Sequence, residues 1–505
     1  MKSSLLGLFA LLGCTEITKT DWTPPDEVPE HRPSAGGSGP SFGSGGFGAD
    51  TPAPEVGKVG GYGIDATEGG QIIALPFGAN EVFGDSDGSA VLAGGYGQGL
   101  PGGGSGVVAA LSVDRVSAAG YVESTAIAYT GEQSSATFGG AALDGLGNVY
   151  IAGSYRGLLT LNGVTMQSAV NPGPVNTTDP FDDHGKSSED MFIFKLDRWG
   201  GVIWAWSIGG VADQSVSLTA LAPDGSITLF GKFTGEFLFG QQALVSSGGS
   251  TVPDLVFLRL GADGLPLSAR QFTSNVWNFR SMASDSGGNL LLGGDITGAG
   301  SDEPNLAGYD ELDFGRGGFV LKVDSSFEPL WVTNLGQEQG PRMREVTLDH
   351  LDNVVVAAQG VEAADLFGEP VGDRGIVLAK LDPNGAPIFG RAYGNTLIDF
   401  ASSATVLSDD SIAFTGIFYQ DVDFDAGLLP SLEPGMSDVF VARVDPEGNH
   451  LMSLRAGGVG ADYGTSIAAL PLDRLITTGN FATAIDFGSG IVQNRGGPYV
   501  AWITP

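Results

Sequence analysis

One short piece of sequence returns seven times along this chain, and it limits the possible folds more than any other feature. It reads AVLAGGY at 90–96, VYIAGSY at 149–155, ITLFGKF at 227–233, LLLGGDI at 290–296, VVVAAQG at 354–360, IAFTGIF at 412–418 and LITTGNF at 475–481. The inner small residue of each copy, Gly94, Gly153, Gly231, Gly294, Ala358, Gly416 and Gly479, recurs at steps of 58 to 64 residues, with a single step of 78. A period of that size marks stacked supersecondary units that bury their apolar faces only against one another. The chain has 81 glycines and short Val/Ile/Leu/Phe runs between Asp/Gly/Asn turns, and no window holds a helical period, so each unit is built of strands.

Each unit contains several strands. Turns such as SDGS (86–89), DGLGN (144–148), PDGS (223–226) and DSGGN (285–289) precede the marker, their Asp and Gly supplying turn hydrogen bonds and positive φ. After it come FIFKLD (192–197), VFLRL (256–260), FVLKVD (319–324), IVLAKLD (376–382) and FVARVD (439–445), then turns such as DPNG and DPEG, then a further strand such as VIWAWSIGG (202–210). Four antiparallel strands repeated seven times describe an all-β, seven-bladed β-propeller. The last unit stops at its third strand. Residues 59–75 line up with 456–470, the end of a fourth strand running into the next first strand, so an N-terminal strand around 56–61 is expected to complete the last blade and close the ring.

The full pattern is a turn, G-N-V-Y-I-A-G, a long loop, D-x-F-[VI]-x-K-[LV]-D, a turn, W and G-G. It is carried most completely by residues 148–153, 190–197 and 204–210. In this the chain resembles the bacterial seven-bladed β-propeller repeat family, SBBP, over residues 56–505. The resemblance implies an architecture and no shared chemistry. Ala358 departs from the marker glycine, and Ser112 and Trp502 stand where the other units have Lys or Arg.

The N-terminus points to export. Lys2, an apolar run from Leu5 to Leu12, and Gly13 before the single cysteine, Cys14, have the form of a secretory signal too short to span a bilayer. Leu11-Leu12-Gly13-Cys14 resembles the lipobox of bacterial lipoproteins, which implies cleavage of residues 1–13 and lipidation of Cys14, with several chains on one residue anchoring it stably. Thr15 after the cysteine favours outer-membrane sorting. Residues 14–55 are rich in Pro, Gly, Ser and acid, and are expected to be a disordered tether. A G-x-S-x-G match at Gly39–Gly43 falls in this stretch, away from any strand-to-helix turn, and carries no hydrolase meaning.

With 24 basic and 58 acidic residues the net charge is −34, a field that repels nucleic acid and favours cations or basic partners. Candidate chemistry is sparse. Asp313-Phe314-Gly315 and Asp486-Phe487-Gly488 spell DFG, but Phe239-Gly240 and Phe367-Gly368 hold the same repeat position, so the motif is blade punctuation. The acids of Asp421, Asp423 and Asp425 lack the spacing of a calcium loop. Lys195, Arg259, Lys322, Lys380 and Arg443 recur among aspartates and are expected to form a charge ladder between blades. The four histidines form no H-x-x-H pair.

Topology directs attention to one face. Loops joining second to third strands, and fourth strands to the next blade, emerge together and hold nearly all the loop length. The longest, 162–189, carries Asp179, Asp182, Asp183 and His184; the loops entering the innermost strands contribute Asp65, Asp213, Asp399 and Asp462, with Glu132 and Glu338 near equivalent places. Asp65, Asp213, Asp399, Asp462, Asp182, Asp183 and His184 are the candidate binding residues, with Ca²⁺ at Asp213 and Asp462 if the acids crowd one mouth. On sequence alone the chain is expected to be a monomeric, membrane-anchored envelope lipoprotein of the outer membrane. Its propeller would bind or scaffold a protein or polysaccharide, with no catalysis of its own. A propeller enzyme acting on extracellular polysaccharide or another polymer is the alternative, and a purely structural component a third. Closely placed carboxylates of strongly raised pKa around the channel mouth would favour the enzyme, and scattered solvated acids would favour binding.

Overall fold

The computed structural model describes residues 15–16, 72–74 and 79–504, apart from the loop stretches 96–107, 118–120, 131–133, 171–186, 250–251, 274–277, 297–308, 310–311, 313, 337–338, 434, 489–491 and 494–495. The described residues are almost entirely β. Their one helical element is a 3₁₀ turn at Pro471–Asp473, and no described helix is long and apolar enough to cross a membrane.

Seven antiparallel sheets make the blades, each with four blade strands; the sheets of blades 1 and 2 carry further short strands, and the fourth strand of blade 7 comes from the N-terminal part of the chain. The innermost strands are Glu81–Gly84, Ser135–Leu143, Gln214–Leu221, Asn278–Ser284, Arg342–Leu348, Phe400–Val406 and Tyr463–Leu470 for blades 1 to 7. Each touches the innermost strands of the two neighbouring blades, and the seventh touches the first, so the ring is closed. The second and third strands have a blade against each face and are apolar without alternation, as in Leu290–Ile296 and Ile376–Leu381, buried throughout. Seven apolar clusters fill the seven seams; the one between blades 7 and 1 joins Ile476, Val500 and Trp502 to Val82, Leu92 and Val116.

The marker glycine is required by close approach. A Cβ on Gly231 would lie 1.9 Å from the Ser215 carbonyl oxygen, and one on Gly479 would lie 1.8 Å from that of Tyr463. In each case the obstacle is the innermost strand, which presses its backbone onto the second strand at that level.

An N-terminal strand does complete the last blade, and it is Ile72–Ala74, paired with Tyr499–Ala501. Residues 56–61 lie outside the described residues. Aligning 59–75 with 456–470 placed residues 71–75 as the first strand of blade 1; instead Glu81–Gly84 takes that role. The physical reason is the tight turn closed by Asp85 N–H donating to the Ser89 carbonyl, which forces the strand just before it to pair with Ala90–Ala93.

The ion pairs of the basic column lie within blades and not between them. Lys322 meets Asp285 at 2.9 Å and Lys380 meets Asp349 at 2.9 Å, both acids belonging to the turn before the second strand of the same blade. Each lysine then donates to a carbonyl of the next blade, Pro383 and Pro446 respectively. In blade 1 the equivalent of Lys195 is Arg115, paired with Asp85, so Ser112 is not the substituted position. The short hairpins holding Phe239, Phe367 and Phe487 lie in the long-loop face, with these rings in or against the seams between blades.

Candidate active site in the central channel

In blades 2 to 7 the ladder between first and second strands slips by one residue at the same place, leaving Gly139, Ser217, Arg280, Arg344, Ser402 and Thr465 unpaired. A bulge of this kind re-aims the side chains on either side of it. The residue that follows is Gly140, Leu218, Ser281, Glu345, Ser403 or Ser466, and in blade 1, where pairing begins at Glu81 opposite Ala93, it is Glu81. Two of seven equivalent positions are therefore glutamates.

This position stitches blade to blade. Ser281 Oγ accepts the Val346 N–H at 3.1 Å, Ser403 Oγ that of Ile467 at 3.1 Å, and Ser466 Oγ that of Val82 at 3.3 Å. Glu81 Oε2 accepts from Ala141 N at 3.0 Å and Glu345 Oε2 from Ala404 N at 2.8 Å. A serine has one oxygen for this task, whereas a carboxyl has two. Both glutamates line a cavity of 530 Å³ to which all seven innermost strands contribute. That volume lies in the range of small-ligand sites.

Burial raises both acids. Glu81 is pushed up to about 8 by desolvation, opposed by the Ala141 N–H and reinforced by the charge of Glu345. Glu345 is pushed up to about 7 by desolvation, against its bonds to Ser403 and Ala404. Blades 1 and 5 are separated by two blades one way round and three the other, so the carboxyls project from opposed walls. Near neutral pH such a pair shares protonated and ionised forms, the condition for general acid–base work.

Two arginines line the same cavity from the bulge positions of blades 4 and 5. Arg280 Nε donates to the buried Asp295 carboxylate at 2.9 Å, whose other oxygen accepts from Met343 N. Arg344 lies 4.1 Å over the Phe400 ring and donates to Gln359 Oε1 at 2.5 Å.

The loop acids expected to bind are placed differently. Asp399 and Asp462 are fully buried. Asp399 accepts from Thr396 and from Tyr419 N, and Asp462 from Gly458 N and Ala482 N; burial raises the first and pushes the second up to about 6. Asp213 is the exposed one, pairing with Arg156 at 3.1 Å and accepting from Glu189 N. Their oxygens hold loop backbone and an arginine, and among the described residues no group of three or more His, Cys, Asp or Glu is arranged to hold a metal ion. The geometry gives the Ca²⁺ assignment at Asp213 and Asp462 no support. Cys14, Asp65, Asp182, Asp183 and His184 lie outside the described residues.

Sequence reasoning passed over Glu81, Glu345, Arg280 and Arg344 because it sought acids in loops. The available signal was a count back from each tight turn: Glu81, Gly140, Ser281 and Glu345 stand four residues before Asp85, Asp144, Asp285 and Asp349.

No family model matches the chain, and no curated protein is similar to it in sequence. Among solved structures it is similar to the polysaccharide lyase Uly1, at 10% identity and a TM-score of 0.43, covering 86% of this chain and 91% of that one. A PL25 ulvan lyase bound to -[GlcA(1-4)Rha3S]- gives 11% identity and a TM-score of 0.37 over 85% and 97%. The C-terminal WD40 domain of Sif2 gives 9% identity and 0.39 over 87% and 100%. Likenesses of this degree say nothing of this chain's activity or partners. One expectation is corrected here. An absence of catalysis was inferred from a lack of catalytic sets in the sequence, yet two carboxyls of raised pKa line this one channel.

Proposed function

We propose that this propeller is an enzyme of extracellular polysaccharide that cleaves a glycosidic bond at its central channel, with Glu81 and Glu345 as the proton-transfer pair. The observation that carries this is the pair itself: two carboxyls at one repeat position, on opposed walls of one cavity, pushed by burial to about 8 and about 7. The group with the lower pKa, Glu345, is the base, taking a proton from the water that adds to the anomeric carbon in hydrolysis, or from the C–H beside a uronic carboxyl as the double bond forms in elimination; Glu81 is the acid that protonates the leaving oxygen as the bond to it breaks. Anchoring of both groups by neighbouring backbone N–H donors fixes the reaction geometry before substrate arrives. Substrate enters as a chain end or a short oligosaccharide, since the cavity is the size of a small-ligand site. The lipobox-like segment ending at Cys14 belongs to the same proposal, holding the enzyme at the cell envelope.

The test is an assay of the purified protein on uronate-containing, sulfated and neutral polysaccharides, following new reducing ends. Ultraviolet absorbance of an unsaturated sugar distinguishes elimination from hydrolysis. Turnover that falls at least about a hundredfold in Glu81→Gln and in Glu345→Gln supports the assignment. Turnover unchanged in both variants overturns it, and binding without turnover on every polymer returns the channel to a recognition role.

A further inference from the structure

The channel carries a feature that proton transfer does not use. In a chain of net charge −34, one stretch of the channel wall is positive. Arg280 and Arg344 occupy the same bulge position on adjacent blades, where the other bulged blades have Gly139, Ser217, Ser402 and Thr465. Burial lowers the Arg344 pKa, and the charges of Arg280 and Arg342 lower it further against the opposing charge of Asp295. Against these guanidinium groups Asp295 is the acid that forms an ion pair with one of them, and it is committed to Arg280 and the Met343 N–H.

Arg344 is held in place and left partly unsatisfied. Its guanidinium group lies over the Phe400 ring and one terminal nitrogen donates to Gln359, while its buried Nε has no hydrogen-bond partner among the described residues. A buried donor without an acceptor costs free energy. A carboxylate or sulfate offers acceptor oxygens at the spacing of the guanidinium fork, the arrangement arginine recognises best.

We infer that Arg280 and Arg344 form an oxyanion-recognition subsite in the central channel, which selects saccharides bearing a uronic carboxylate or a sulfate ester over neutral ones. This deepens the proposed function and rests on it for the channel being the place where saccharide binds. The cation–π contact with Phe400 holds the Arg344 guanidinium in place, and Arg280 and Arg344 both line the cavity in which such a ligand would sit.

Calorimetric titration of the full chain with glucuronate, glucose 6-sulfate and glucose tests this directly. Both anions are expected to bind at least about tenfold more tightly than glucose, and Arg344→Gln and Arg280→Gln are each expected to remove that preference, since a charge-assisted bond is worth that much. Glucuronate bound and the sulfate ester not assigns the subsite to carboxylate; the reverse assigns it to sulfate. Arg344→Lys keeps the charge and loses the fork, and retains less than half of the preference; should Arg344→Gln not fold, that variant and Arg280→Gln decide. Equal affinity for glucose and both anions, or a preference untouched in the folded variants, overturns the subsite. Glu81→Gln and Glu345→Gln keep the anion preference, so anion binding with no cleavage of any polymer defeats the catalytic reading alone, whereas cleavage of neutral and acidic polymers alike defeats this one alone.

Discussion

Glu81 and Glu345 do the same structural task on non-adjacent blades: each carboxyl crosses a seam to accept the backbone N–H of the next innermost strand, Ala141 for one and Ala404 for the other. Serines at three further blades perform the stitch with a hydroxyl. The acids thus answer a structural need and place an ionisable group in the channel at once. Both facts shape what can be measured.

Stability should fall as pH rises through neutrality. Glu81 and Glu345 have ordinary values of 4.5 when unfolded and about 8 and about 7 when folded, so between those limits the native state holds protons that the unfolded chain has released. The stabilisation is full below about 4.5 and is lost as pH climbs to about 8. Asp190, at about 7, and Asp462, at about 6, act in the same direction. Melting temperatures measured from pH 5 to 9 should decline, and the Glu81→Gln/Glu345→Gln variant should decline less steeply. A flat wild-type profile would contradict the assigned shifts.

Ring closure is expected to depend on Ile72–Ala74, the strand paired with Tyr499–Ala501. Truncation after residue 63 should leave the melting temperature within a degree or two, whereas truncation after residue 78 should lower it by several degrees, because an interior edge of blade 7 loses its partner. Equal loss in both truncations would move the closing strand upstream.

Gly231→Ala should cost about 2 kcal/mol or more in chemical denaturation, since the added methyl meets the Ser215 carbonyl oxygen at 1.9 Å and neither strand can retreat without breaking a ladder. Ala358→Gly, at the one marker position where alanine is native, should cost less than about 1 kcal/mol. Reversed magnitudes would remove the close-approach explanation of the repeat's marker.

Lys380→Met leaves the buried Asp349 carboxylate without its cation and should destabilise the protein by about 3 kcal/mol. Adding Asp349→Asn should recover part of that loss, and the coupling is read from a double-mutant cycle. Additive effects would mean that the pair contributes nothing of its own.

The sequence made some of this legible and hid the rest for identifiable reasons. Gly153, Gly231, Gly416 and Gly479 announced the blades because a backbone contact forbids any side chain there. The turn aspartates were equally plain, Asp144, Asp285 and Asp349 each accepting hydrogen bonds from the backbone N–H groups two and four places on. Blade 1 was misread because its innermost strand is only Glu81–Gly84, while Ile72–Ala74 carries an apolar pattern that imitates such a strand. The channel residues were hidden by the bulge, which breaks the strict alternation by which inward-facing strand residues are recognised. Asp399 and Asp462 were conspicuous in sequence because they cap loops, and capping is what they do.

Because the bulge returns at one level in six blades, each innermost strand offers the channel an unpaired residue and its successor at a fixed height, with blade 1 supplying Asn80 and Glu81. The channel is in effect a dial of seven addresses, each written by two letters of sequence that no other blade reads. A serine exchanged for a glutamate keeps its seam closed and alters the chemistry at one address. The repeat can therefore acquire, lose or retarget a reactive site one blade at a time while the ring that holds it stays the same.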